Sequence, residues 1–496
     1  MTMRIPTCLL LTALCTATAQ AQLPLPSVTG PLTNDSQTHG FGMAAWAAQP
    51  QDLSAHGYIE EEFLVSGAAS VYDWPEPGTL NVQTQGAGYS TRILVRRPVD
   101  GESFSGTVVV EPLNPVYQFD LNTGWALSGP LLLRNGDVWV GVTARPSSVA
   151  SLITFDPTRY GVLDWSNPLP VTDPRNCMVS GSDSQYTENG LVYDILRQTA
   201  AWLRSDAPGN PLRYGDSQSR ADRVYGWGYG ESGGILHTYI NALHNLDVEA
   251  LGEPLFHAYL IGASFSPALI NQCAERITPE DPRYRIRNPG VPVIRVLTQF
   301  DVLRAAQAGR RQMDDRATDA FYRIYEVAGA AHATAEELNA SAQPGDITLG
   351  GRSVPAMTCN EGPRSRFPNQ FAFSAALYHL NRWARDIADP PHGEPIRLDD
   401  GRYVLDEHGN VLGGLRSPYV DVPVSTWVAA SSGPGGCDLA GHELPFDKDA
   451  LERMFRSNRA YVQAVQDDLP RHVEAGFILA DDAPRIIEQA RLTPVP

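Results

Sequence analysis

The chain has 496 residues, 43% of them apolar and 19% charged. That balance excludes an intrinsically disordered chain and suits a protein with a large core. A formal net charge of −18 argues against nucleic acid or an anionic membrane as partner, and no internal repeat or low-complexity tract points to a solenoid or tethered array.

The first residues read as an export signal. Arg4 supplies a positive start, Leu9 to Ala17 is apolar, and Ala19-Gln20-Ala21 resembles a cleavage site. Residues 1–21 are therefore expected to be removed, giving a mature chain from Gln22 that is secreted or periplasmic. The apolar run is too short for a membrane span, and no later stretch is long enough. Removal of the leader takes Cys8 and Cys15 and leaves Cys177, Cys273, Cys359 and Cys437, an even number in an oxidising compartment. Four cysteines allow three pairings. The sequence does not choose among them, and Cys359 with Cys437 and Cys177 with Cys273 is the preferred pairing. No Cys/His spacing suggests a metal site.

Apolar runs at Glu60 to Val65, Ser90 to Val95, Thr107 to Val110, Val138 to Val142, Asp222 to Tyr229, His257 to Ile261, Pro292 to Leu297 and Tyr322 to Val327 predict eight strands. Helix-length segments follow the later ones: Leu191 to Arg204, Ile235 to Leu243, Arg304 to Asp314 and Phe371 to Ile387. Alternating strands and helices give an α/β fold with a mostly parallel eight-stranded sheet and helices on both faces. A Pro/Gly-containing link joins the first two strands and predicts an antiparallel start. The segment 145–188 is too long for an ordinary connection and is expected to be a lid insertion or substrate wall, with Tyr160, Trp165 and Tyr186 hinting at an aromatic lining. The core is expected over 22–390. Beyond Asp389-Pro390-Pro391, residues 391–496 read as a C-terminal appendage with turns at Asp399-Asp400-Gly401 and Glu407 to Asn410, ending in helices from Lys448 to Val465 and Pro484 to Ala490.

The chemistry concentrates where Arg223 to Tyr229 runs into Gly230-Glu231-Ser232-Gly233-Gly234 and then an apolar helical pattern. This is Gly-x-Ser-x-Gly in the strand, sharp turn, helix context of a nucleophile elbow. The turn is tight enough that the neighbours of the serine must lack side chains. An unassisted serine hydroxyl is a poor nucleophile, so a base and an orienting acid are needed, in the chain order acid then histidine. Asp301 lies just past the strand ending at Leu297, and His332 lies in the loop after the strand ending at Val327. Both arise where an open α/β sheet gathers its site. Asp301 could instead cap the following helix, with Glu326 as the alternative acid. His237, one turn along the elbow helix from Ser232, is expected to line that helix. Gly233 N–H is the expected first oxyanion donor. Val116, in the loop after the third strand, is the expected second, with Tyr117 as the alternative, since Pro115 has no N–H. Asn114 and Glu231 are assigned to substrate binding, although Glu231 could equally cap the elbow helix.

Val110-Glu111-Pro112-Leu113-Asn114, the elbow through Gly233 into His237 to Asn241, Thr298-Gln299-Phe300-Asp301-Val302, Glu326 to His332 and Gly413 to Pro418 together resemble a family known as the bacterial alpha/beta hydrolase domain. The resemblance spans most of the mature chain. It implies the α/β-hydrolase fold and a Ser232, Asp301, His332 triad with no cofactor. Members often carry Glu where Gln299 stands, a departure that favours Asp301, and Gln where Glu231 stands. The expected activity is an exported serine esterase acting on a small-molecule or polymer ester. An amidase or peptidase with the same triad, or a binding protein that keeps the fold without the chemistry, are the alternatives.

Overall fold

The computed structural model describes residues 23–495 apart from 36, 178–183, 216–217, 287–288 and 315–319. The leader and its cleavage site lie outside the described residues. A nine-stranded sheet runs in the order β1-β2-β3-β5-β4-β6-β7-β8-β9: β1 Ser27–Thr29, β2 Tyr58–Glu76, β3 Thr79–Pro98, β4 Thr107–Pro112, β5 Val138–Val142, β6 Arg223–Tyr229, β7 Ala258–Gly262, β8 Val293–Thr298 and β9 Tyr322–Val327. From β5 across to β9 every pairing is parallel, whereas β1, β2, β3 and β5 pair antiparallel. All eight expected strands are present. The ninth, β1, is a three-residue edge too short to carry a periodic signal.

The link expected between the first two strands is itself strand. β2 and β3 pair almost end to end, with bulges near Val71 and Asp73, and only Pro77-Gly78 remain as a turn, Gly78 at φ 76°. Small residues such as Gly67-Ala68-Ala69 break the apolar alternation without breaking the backbone ladder.

The strands divide their side chains between two cores. Val108 and Val110 pack with Ile195, Leu196, Ile235 and Leu236 on one face, while Val109 packs with Leu127, Leu131, Leu377 and Leu380 on the other. Helices Val192–Arg204 and Glu231–Ala242 thus cover one face, and helices Thr123–Asn135 and Gln370–Ala384 the other. Helix Thr123–Asn135 went unrecognised in the sequence because Gly124, Gly129 and Pro130 interrupt it and most of its residues are buried, so it lacks an apolar stripe. The helix after β8 is Gln299–Gln307, begun earlier than Arg304 by a capping box between Thr298 and Asp301.

Residues beyond 390 pack onto the main core. Leu415 continues the sheet beside Val327, and Leu415, Val420 and Trp427 share the core of Leu377 and Leu380. Asp400 and Gly401, at φ 44° and 70°, form the expected turn between Leu398–Asp399 and Arg402–Tyr403. The single helix expected over Lys448 to Val465 is two, Lys448–Phe455 and Asn458–Glu474, broken by left-handed Arg456 and the Ser457 cap. Two disulfides, Cys177–Cys273 and Cys359–Cys437, follow the preferred pairing. Among the described residues no helix is long and apolar enough to cross a membrane.

Candidate active site

Glycines shape the turn after β6. Gly230 adopts φ 58°, ψ −118°, a region that side-chain-bearing residues avoid. A Cβ on Gly228 would stand 2.5 Å from the Ser232 carbonyl oxygen, and one on Gly233 2.7 Å from Ser264 Cβ. The chain therefore turns tightly and presents Ser232 at the start of helix Glu231–Ala242. Ser232 is buried, and its Oγ has no hydrogen-bond partner among the described residues. Gly233 N–H is in the first turn of that helix, where amides lack intrahelical acceptors.

His332 and Asp301 meet although 31 residues separate them: His332 Nδ1 lies 2.8 Å from Asp301 Oδ1. The other carboxylate oxygen of Asp301 accepts from Thr298 Oγ1 at 2.5 Å. Asp301 thus completes the helix capping box and holds the histidine at once, so the two roles weighed from sequence coexist. With Nδ1 engaged, the ring turns Nε2 toward the elbow, 3.6 Å from where a Cβ on Gly230 would sit. Burial pulls the His332 pKa down, but the charge and hydrogen bond of Asp301, helped by Glu337, overcome this and raise it above the ordinary histidine value.

Residues to which the sequence assigns no role in the site steady this loop. Tyr229 Oη donates to the His332 carbonyl at 2.5 Å, Gly329 N–H donates to Gln299 Oε1 at 2.7 Å, and Asn369 Nδ2 bridges the Ala331 carbonyl and Glu337 Oε1 at 3.1 Å each. Glu111 is also buried. It accepts from the amides of Gly124 and Trp125 and from Trp139 Nε1, fixing helix Thr123–Asn135 behind the loop 113–122. Burial pushes its carboxyl up to about 7 against these hydrogen bonds. Its place in Val110 to Asn114 was the only available signal.

Other expected residues take different parts. Glu326 is held by Arg311 at 2.6 and 2.9 Å and by Ile396 N–H at 2.7 Å, so it fastens the C-terminal segment to β9. His237 is buried against Arg295 at 3.1 Å, and burial followed by that positive charge holds its pKa well below normal. The Val116 N–H is not free, because it donates to Asn114 Oδ1 at 3.2 Å. That bond orients the Asn114 amide so that Nδ2 lies 3.2 Å from the Gly230 Cβ position. Glu231 pairs with Arg145 Nε at 2.7 Å and makes no cap. Among the described residues the three aromatics expected as a lining do not form a shared wall: Tyr160 is buried and donates to Glu62 at 2.6 Å, Trp165 is buried, and Tyr186 is 68% exposed.

A family described as the alpha/beta hydrolase domain matches residues 28–488. A search of curated proteins found no significant match. Among solved structures, a thermostable esterase from Pseudomonas putida is 15% identical with a TM-score of 0.29, covering 62% of this chain and 85% of its own. A carboxylesterase from Lactobacillus plantarum is 11% identical with a TM-score of 0.27, covering 48% and 78%. An alpha-beta serine hydrolase homologue from Coxiella burnetii is 12% identical with a TM-score of 0.26, covering 49% and 84%. The family match over nearly the whole chain, with the sheet order and elbow described above, places this chain in the alpha/beta hydrolase domain family.

Proposed function

We propose that this protein is an exported serine hydrolase that cleaves a carboxylic ester through an acyl-enzyme on Ser232. The observation that carries the reading is the Asp301–His332 contact, which spends Nδ1 and leaves Nε2 facing the turn at Gly230 that presents Ser232, whose hydroxyl makes no hydrogen bond to any described residue. Catalytic hydrogen bonds are often long before substrate arrives.

Ser232 Oγ attacks the ester carbonyl and its proton passes to His332 Nε2, while Asp301 stabilises the imidazolium. The oxyanion is met by Gly233 N–H and by Asn114 Nδ2, with Val116 N–H holding the amide in place. Such donors are each worth about 2.7–4 kcal/mol. Collapse expels the alcohol, protonated by His332; water then attacks the acyl-enzyme by the same route and frees Ser232. Arg145, at the start of the long connection after β5, walls the approach through its pair with Glu231. Export is supported by the leader pattern and by two disulfides, which persist in oxidising compartments. The test is Ser232→Ala assayed with p-nitrophenyl acetate and a fluorophosphonate label: both signals should vanish, and retained hydrolysis overturns the proposal.

A further inference from the structure

A recess of about 20 Å³ opens beside His332, walled by Tyr117, Leu121, Tyr229, Leu338 and Leu439. A water molecule needs about 10–15 Å³ of such space, so the recess holds one small group and no chain. Leu121, Tyr229 and Leu338 are buried. The other two walls are braced from outside the α/β core. Tyr117 lies against Gly436, where a Cβ would come within 2.3 Å of its hydroxyl. Leu439 ends the short turn Cys437–Leu439, its carbonyl accepts from Ala333 N–H at 3.0 Å, and Cys437 is crosslinked to Cys359. The wall is thus tied both to the residue after His332 and to a separate ribbon, so opening it means moving covalently anchored chain.

We infer that this recess takes the acyl group and restricts it to acetyl, with Leu439 and Tyr117 setting the limit; the inference rests on the ester hydrolase reading above. The alcohol must leave toward solvent after the first half-reaction, whereas the acyl group stays bonded to Ser232 through both. An enclosed space at the histidine therefore suits the retained part. Asn114 borders both this recess and the turn at Gly230, so an acyl carbonyl held by its Nδ2 would carry its substituent into the recess. A longer acyl chain has to displace Leu439 or Tyr117.

The full-length protein is assayed with p-nitrophenyl acetate, butyrate and octanoate, with fluorophosphonate labelling in parallel. kcat/KM is expected to fall about tenfold or more from acetate to butyrate, and further to octanoate. Leu439→Ala should raise the butyrate-to-acetate ratio about tenfold by opening space for two more carbons. Labelled wild-type protein that cleaves octanoate as fast as acetate, or cleaves neither, overturns the inference, and so does an unchanged ratio in folded Leu439→Ala. Protein that cleaves no ester and takes no label at Ser232 overturns the hydrolase reading itself. The wild-type series decides the acetyl limit even if the variant fails to fold.

Discussion

Two histidine–aspartate contacts in this molecule look alike in isolation. His332 meets Asp301 at 2.8 Å and His472 meets Asp468 at 2.9 Å. In both, burial lowers the histidine pKa and neighbouring carboxylates more than restore it, Asp301 in one case, Asp421 and Asp468 in the other. The difference is which nitrogen is used. His332 spends Nδ1 and keeps Nε2 facing the elbow, whereas His472 spends Nε2 on both carboxylates. Asp421 also accepts from Arg416 and Arg471. These are the charges that balance the Asp421, Asp468, His472 group, whose ligand-type atoms lie within 4.8 Å of one another. Through Asp421, which lies outside that helix, the second group is a clasp on helix Asn458–Glu474. A raised pKa and a short contact do not by themselves mark a catalytic base; what separates the two contacts is which ring nitrogen is left open and what it faces.

The contrast breaks most sharply in the loss of activity. Ser232→Ala should lower ester hydrolysis about a millionfold, the scale seen when a serine nucleophile is removed, while His472→Gln should stay within about twofold, as expected for a residue remote from the reacting groups. Equal losses in the two variants would erase the distinction. Asp301→Asn should lower kcat about ten-thousandfold by presenting the wrong tautomer of His332. Mass spectrometry after a burst of substrate should show less acyl-enzyme formed.

Acid–base behaviour sharpens it further. Transfer requires neutral His332, so kcat/KM should rise with pH through an apparent pKa above the ordinary histidine value of about 6.5. A pH–rate profile with its inflection below that value would contradict the assigned environment. The clasp titrates in stability instead. Its histidine is raised in the folded state, so the stabilisation is complete below about pH 6.5 and is lost as pH rises through the folded pKa. Urea midpoints should therefore separate wild type from His472→Gln by about 1 kcal/mol at pH 6 and by less at pH 9, because the pair is partly exposed. Among the residues next to the elbow, the smallest effect is expected from Glu231→Gln. The pair with Arg145 is half solvated on the glutamate side, and kcat/KM should change by less than about fivefold, an effect of surface-pair size.

What was legible in the sequence follows from how local each signal is. Strands β4 to β9 read clearly because their apolar runs are short, continuous and bounded by turn residues. The elbow read clearly because strand, glycines, serine and helix are contiguous. The long hairpin of β2 and β3 did not, since its pairing does not depend on alternation where Gly and Ala occupy the ladder. Helix Thr123–Asn135 did not, being buried nearly all round.

By itself the sequence determined which residue types stand at the ends of which strands, and hence that Ser232, Asp301 and His332 lie in the chain order this sheet can gather. That information is local, carried by neighbouring residues along one strand and its following turn. The tertiary structure alone decided that the Val116 amide is spent on Asn114, that Tyr160 and Trp165 turn inward, and that Leu439, more than a hundred residues beyond the histidine, walls its recess. Each depends on contacts between segments distant in the chain, where no period or motif records which atom will face which.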